Sequence, residues 1–326
     1  MSTSGGTKAV VAALLANSGI AITKFVAFAF SGSSAMLAEG VHSVADAANQ
    51  GLLLFGGRQA KRKADAEHPF GYGRERYVYA FVVAIVLFSV GGVFSLYEGI
   101  EKLQNPHPLE VPWLPIVVLV IAIVLESFSL RTAVIESNLA RGDQGWVAFV
   151  RHAKQPELPV VLLEDIAALL GLTFALVGVG LTIVTGDPVW DAIGTIAIGV
   201  LLVLVALVLG IETKSLLVGE GATRADRDRI VTAIEGGDEI ERLIHLKTLY
   251  LGPDELMVAG KLGFASDKTL GEVTADIDAI EARIRDVVPI ARVIYLEPDI
   301  YHAPTETDTD AGTAGVSASD ANDARR

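Results

Sequence analysis

The 326-residue chain contains no cysteine, which excludes disulfides and thiolate metal centres. Any metal it handles must be held by histidine, aspartate, glutamate, asparagine or backbone oxygen. Charge is scarce as well. Charged residues make up 20% of the chain against 51% apolar residues, and the mean hydropathy of +0.47 is too high for an ordinary soluble domain of this size. No glycine-rich phosphate loop with its lysine occurs, so ATP is not the expected driving force. No serine–histidine–acid arrangement with a supporting motif is present either, and the chain does not read as an enzyme or as the holder of a resident cofactor. No basic leader with a small-residue cleavage site precedes the first apolar run, so no cleaved signal is expected. The net charge of −13 comes from 39 acids against 26 bases. The acids gather in the last third, as a solubilising surface.

What the chain has is apolar runs long enough to span a bilayer. Hydropathy places six of them, at Val10–Phe30, Met36–Phe55, Tyr77–Leu103, Val111–Glu136, Leu158–Val184 and Trp190–Ile211. The connection Arg58–Arg76 carries Arg58, Lys61, Arg62, Lys63, Arg74 and Arg76, and the fourth-to-fifth connection adds Arg141, Arg151 and Lys154. Ser31–Ser34 and Thr185–Pro188 carry no basic residue. The positive-inside rule then puts both termini and the basic loops in the cytoplasm. Lipid headgroups and topology account for the basic loop, and nucleic acid is not an expected partner.

After Glu220 the pattern changes. Arg224–Glu235 reads as a helix, Ile240–Leu251 and Leu256–Phe264 as strands around Gly252-Pro253-Asp254, Thr269–Val287 as an amphipathic helix and Ala291–Leu296 as a last strand. Residues 1–218 are thus expected to form a transmembrane domain and 219–300 a small cytoplasmic α+β domain. The Thr-, Ala-, Asp- and Gly-rich stretch 301–326 is expected to be disordered.

The costly residues lie inside the spans. Glu39, His42, Asp46 and Asn49 recur at three- and four-residue steps, which puts them along one helical stripe. Ionisable groups at that depth mark an ion or proton path, and an imidazole beside a carboxylate is half of a divalent-metal site. Glu39 reads as a snorkelling, gating or ligating group, and Asn49 as an interhelix bond. Lys24, with Asn17, is expected to snorkel or to bond between helices. The fifth span supplies Glu164 and Asp165. Adjacent helix positions diverge by about 100°, so one binds while the other pairs elsewhere, or the helix is distorted. Counting 1.5 Å per residue, Asp46, Asp165 and Glu126 lie about 14, 10 and 15 Å from the cytoplasmic ends of their spans, so they can meet. Glu126 is a ligand or proton-relay candidate; Arg131, five residues on, is a poorly placed alternative partner.

Together these features resemble the cation diffusion facilitators. The resemblance rests on the six spans, the His42-x-x-x-Asp46 pair, Asp165 and the terminal α+β domain. "HPFGYGRERY" at His68–Tyr77, "VLLEDIAALLG" at Val161–Gly171 and "ETKSLLVGE" at Glu212–Glu220 are most similar to the zinc transporter 9-like branch. The family implies a homodimer in a membrane, a prokaryotic plasma membrane in the simplest reading, with a ferredoxin-like α-β-β-α-β cytoplasmic domain. It would export a divalent ion, zinc first, against protons. A manganese, iron or cobalt exporter and a non-transporting metal sensor or scaffold are the alternatives.

The resemblance makes His42, Asp46 and Asp165 the transport site. Val161 stands where relatives carry a histidine, which leaves Glu164 or Glu126 to replace it. A more carboxylate-rich shell is harder and widens the range of ions. Asp65 and His68 match two ligands of a loop site whose third position is Tyr72, so that site is expected to be weak. His245 and Glu297 match a C-terminal site, also weak, in which Lys261 and Tyr295 replace histidines.

Overall fold

The computed structural model describes residues 18–301, and the chain divides into two compact units. The first runs to Ala222 and includes Thr248–Met257; the second comprises Thr223–Lys247 and resumes at Val258.

In the first unit the helices are α1 (Ser18–Ser31), α2 (Ser34–Gln59), α3 (Glu75–Gln104), α4 (Trp113–Arg141), α5 (Trp146–His152), α6 (Glu157–Thr185) and α7 (Val189–Val218). Four of these, α3, α4, α6 and α7, are long and apolar enough to cross a membrane. At 26 residues, α2 is long enough too, but Glu39, His42 and Asp46 dilute its hydropathy. The start of the first expected span, with Asn17, lies outside the described residues, as does the expected disordered tail beyond Tyr301.

Met36, Val83, Leu87, Leu119, Leu172, Ile198 and Leu202 form one buried core between the helices. Small residues let the backbones close up. A Cβ at Gly178 of α6 would lie 2.7 Å from the Trp190 carbonyl, and one at Gly194 of α7 would lie 2.9 Å from the Phe174 carbonyl.

Two features depart from uniform helical spans. Within α3, Leu87–Val93 forms a π-helical turn. Gly91 and Gly92 weaken the α-helix there, and the packing uses the change: a Cβ on Gly92 would lie 2.7 Å from Val203 Cγ2 of α7. The other feature is the start of α2. Gly32 turns the chain at φ +65°, and Ser33 caps the helix by accepting from the Met36 N–H at 3.3 Å. Fully buried Asp191 of α7 accepts from Ser33 Oγ at 2.8 Å and from the Ser34 N–H at 2.9 Å, an anion placed at a helix N-terminus. This clasp fixes the height of α2 and hence of the polar stripe on it.

After Ala222 the chain forms α8 (Arg224–Glu235), α9 (Leu270–Val287) and a three-stranded sheet of β1 (Arg242–Gly252), β2 (Glu255–Gly263) and β3 (Ala291–Asp299), in the order β1-β2-β3. This is the expected α-β-β-α-β order. The Phe264 N–H donates to the Asp299 carbonyl at 2.8 Å, so β2 and β3 meet at their C-terminal ends and run parallel, with α9 as the crossover. Strand β2 alternates, burying Val258 and Leu262 with Ile230 and Ile234 of α8 and Ile280 and Ile284 of α9. Thr269 and Glu272 form a capping box that starts α9. Arg283 donates to Glu239 at 2.5 and 3.0 Å and to the Ala233 carbonyl at 2.9 Å; the same guanidinium holds the Glu239 carboxyl below its ordinary value.

Candidate cation site within the membrane helices

The polar stripe of α2 is turned into the bundle. Glu39, His42 and Asn49 are buried, and Asp46 is 16% exposed at its side chain. His42 Nε2 lies 3.4 Å from Asp46 Oδ2, a four-residue step along one face. Several buried polar atoms on this stripe have no hydrogen-bond partner: both ring nitrogens of His42, one a donor and one an acceptor in the neutral ring, and Asp46 Oδ1, Asn49 Oδ1, Gln50 Oε1 and Glu39 Oε1. Buried polar atoms are normally satisfied. A row of unsatisfied acceptors is therefore unusual, and oxygen and imidazole donors of this kind are ones a divalent cation accepts.

Opposite this stripe, α6 divides its two acids. Glu164 reaches α2, where its Oε1 accepts from Asn49 Nδ2 at 2.7 Å; Asp165 reaches α4, where its Oδ2 accepts from Ser129 Oγ at 2.9 Å. This is the divergence expected of adjacent helical positions, with no distortion of α6 needed. Asp46 is within electrostatic range of Glu126, Glu164 and Asp165, and Asp165 is within range of Glu126 and Glu164. Glu126 lines a cavity of about 590 Å³ together with Thr23, Gln50 and Ser129, and no ion pair joins it to Arg131 among the described residues. No group of three or more His, Asp or Glu side chains is gathered in ligating geometry among the described residues.

The Glu39 end of the stripe decides between the two readings of Lys24. Lys24 does not snorkel. It is 1% exposed, and its Nζ donates to Glu39 Oε2 at 2.9 Å and to Ser43 Oγ at 2.8 Å. Glu39 is fully buried in the protein. It packs close to α6 at Gly171, where a Cβ would lie 2.9 Å from Glu39 Oε1. The interhelix bond was one of the two readings of Lys24; its partner could be found only by noting that Glu39 and Ser43 share a face.

In the connection between α2 and α3 the Asp65 carboxylate is engaged by hydrogen bonds. Asp65 accepts from the Tyr72 hydroxyl at 2.5 Å and from the backbone N–H groups of His68 at 2.8 Å and Glu67 at 3.1 Å. The Tyr72 hydroxyl, first, and the His68 amide hold the Asp65 carboxyl below its ordinary value, while Asp65 pushes the Tyr72 phenol up. The His68 ring packs on the Tyr72 ring with centroids 4.4 Å apart. Tyrosine here supplies a proton where a third ligand would supply a lone pair. In the second unit Lys261 Nζ lies 3.3 Å from Glu297 Oε1 and 2.9 Å from Asp299 Oδ2. An ammonium therefore pairs with the carboxylate expected to join His245.

Residues 10–218, well over half of the chain, match the cation efflux transmembrane domain. The chain belongs to the cation efflux family. This cation efflux protein is 29% identical over 262 residues to the human mitochondrial proton-coupled zinc antiporter SLC30A9, covering 80% of this chain and 46% of that one. It is 30% identical over 259 residues to metal tolerance protein C4 of Arabidopsis thaliana, covering 79% and 57% respectively. It is also 27% identical over 246 residues to the cation-efflux pump FieF of Klebsiella pneumoniae, covering 76% and 77%. The chain spans about half the length of the SLC30A9 proteins it matches. Of these relatives, one is named as an antiporter and one as an efflux pump.

Proposed function

We propose that the protein is a secondary transporter that exports a divalent cation, zinc first, from the cytoplasm in exchange for protons. The supporting observation is the row of buried, unpartnered acceptors on α2, centred on His42 and Asp46. In this reading His42 and Asp46 supply half of the site, and α6 closes it with Asp165 and with Glu164 in place of the histidine missing at Val161. Glu164 is preferred over Glu126 because its carboxylate already reaches α2 through Asn49, whereas Glu126 faces the cavity beside Ser129. Closing the site requires Glu164 to exchange Asn49, and Asp165 to exchange Ser129, for the ion. Ligand binding and proton binding compete for the same oxygens, so protonation from the outer face releases the ion. The zinc antiporters among the relatives support both the ion and the coupling.

The same reading makes α1 and α2 the first two of six spans, puts both termini in the cytoplasm, takes the α-β-β-α-β unit as a ferredoxin-like domain and makes the working form a homodimer. One imidazole among four carboxylates is a hard donor set, which favours manganese or iron as the second choice of ion. Proteoliposomes loaded with an indicator dye and given zinc and a pH gradient test the proposal. Flux that Asp46→Ala or His42→Ala abolishes is expected. Undiminished flux in folded Asp46→Ala protein overturns the site.

A further inference from the structure

We propose that Lys24 is a built-in counter-cation of the transport site, whose ammonium opposes the cargo ion and so sets its affinity. The inference rests on the cation reading of His42 and Asp46 and adds a residue from a third helix to it.

Lys24 lies in α1, and its ammonium reaches the shoulder of the proposed site. One of its acceptors, Ser43, directly follows His42; the other, Glu39, lies three residues before it, on the same stripe. Lys24 is also within electrostatic reach of Asp46 and Glu126, so it is the fixed positive charge facing the carboxylates from α1.

The pair is poorly built for stability alone. A buried ammonium and carboxylate lose hydration that they regain only when further hydrogen bonds complete both groups. Ser43 completes part of the ammonium shell. Glu39 Oε1 has no hydrogen-bond partner, and a Cβ at position 171 would lie 2.9 Å from it. Two apolar residues would fill the same space at less cost. The pair brings charge to within a turn of His42.

Charge at that position acts directly on a transported ion. A divalent cation bound at His42 and Asp46 is attracted by Glu39 and repelled by Lys24, in surroundings that screen poorly. Without the lysine, Glu39 becomes an uncompensated anion beside the site, so the ion binds more tightly and leaves more slowly. Without the glutamate, the uncompensated ammonium weakens binding. The two neutralising substitutions should therefore act in opposite directions. A purely structural pair would not behave in this way, since breaking it from either side would damage the same packing.

The test is zinc titration by calorimetry on the purified full chain at fixed pH and ionic strength, with efflux measured on the same preparations. Lys24→Gln should bind zinc about tenfold more tightly and turn over more slowly, and Glu39→Gln should bind about tenfold more weakly. Lys24→Arg, which keeps the charge, should bind more weakly than Lys24→Gln. Any other pattern of signs overturns the proposal. If Lys24→Gln does not fold, Ser43→Ala decides: it keeps both charges but releases the ammonium from its anchor beside His42. It should tighten binding a few-fold, and unchanged or weaker binding refutes the assignment. Asp46→Ala in the same titration separates the two readings. If it binds zinc like the wild type, the site itself is wrong. If it loses zinc while Lys24→Gln fails to tighten, only the lysine assignment falls.

Discussion

Replacing Glu164 by glutamine removes one negative charge and leaves nearly everything else in place. The side chain keeps its volume, and an amide oxygen can still accept the 2.7 Å bond from Asn49. The stability cost is the difference between a charge-assisted and a neutral hydrogen bond, about 1 kcal/mol. The metal affinity should respond quite differently. A carboxylate about 4 Å from a divalent ion contributes roughly 8 kcal/mol of Coulomb energy at an effective dielectric of about 20. Recovered hydration of the carboxylate offsets more than half of it. Some 3 kcal/mol remains, or a loss of affinity of about a hundredfold. Calorimetric zinc titration and thermal unfolding on one preparation read the two quantities side by side. The expected result is a melting temperature that barely moves with an affinity that falls a hundredfold. Unchanged affinity with intact flux would mean that Glu164 only ties α6 to α2. Glu126→Gln should then carry the loss instead.

Other consequences follow from contacts away from the ion. Asp191→Ala strands the Ser33 hydroxyl and the Ser34 N–H and removes the anion from the N-terminus of α2. It should cost about 3–5 kcal/mol, read as lowered thermal stability in detergent; a loss below about 1 kcal/mol would refute the clasp. Gly171→Ala forces the Glu39 carboxylate away from a Cβ that would sit 2.9 Å from it. It should destabilise by about 1–3 kcal/mol, and a melting temperature equal to the wild type would show that Glu39 has room to move. In the loop, the lowered Asp65 carboxyl contributes stability above the ordinary carboxylate range, and the contribution is lost as pH falls through its depressed value. Tyr72→Phe removes the leading cause, so the Asp65 carboxyl resonance should titrate at higher pH than in the wild type. An unmoved titration would count against the hydroxyl as that cause.

The amphipathic and apolar periods were legible because they are local. Arg224–Glu235 has the same ends by hydropathy pattern and in the structure, and the strands differ from expectation by no more than three residues at any end. The π-helical turn at Leu87–Val93 was not legible. It answers to the close approach of Val203 on a helix more than a hundred residues away, and no local pattern carries that. The short helix α5 at Trp146–His152 went unread for a related reason: at 7 residues it is too brief to display a period.

The candidate site divides along the same line. Spacing alone put Glu39, His42, Asp46 and Asn49 on one face of a helix, because 3.6 residues per turn is a property of the backbone. It also set Glu164 and Asp165 about 100° apart unless α6 were distorted. What their side chains reach depends on which helices stand beside α6, and only the packed bundle sends Glu164 to Asn49 and Asp165 to Ser129. Lys24 is the clearest case. Its expense inside a membrane was evident from sequence, but a long flexible side chain can end at an interface or at a partner on another helix with equal covalent ease. The tertiary structure decided for Glu39 and Ser43, because a bilayer supplies no water to the ammonium and α2 supplies two acceptors within 3 Å of it.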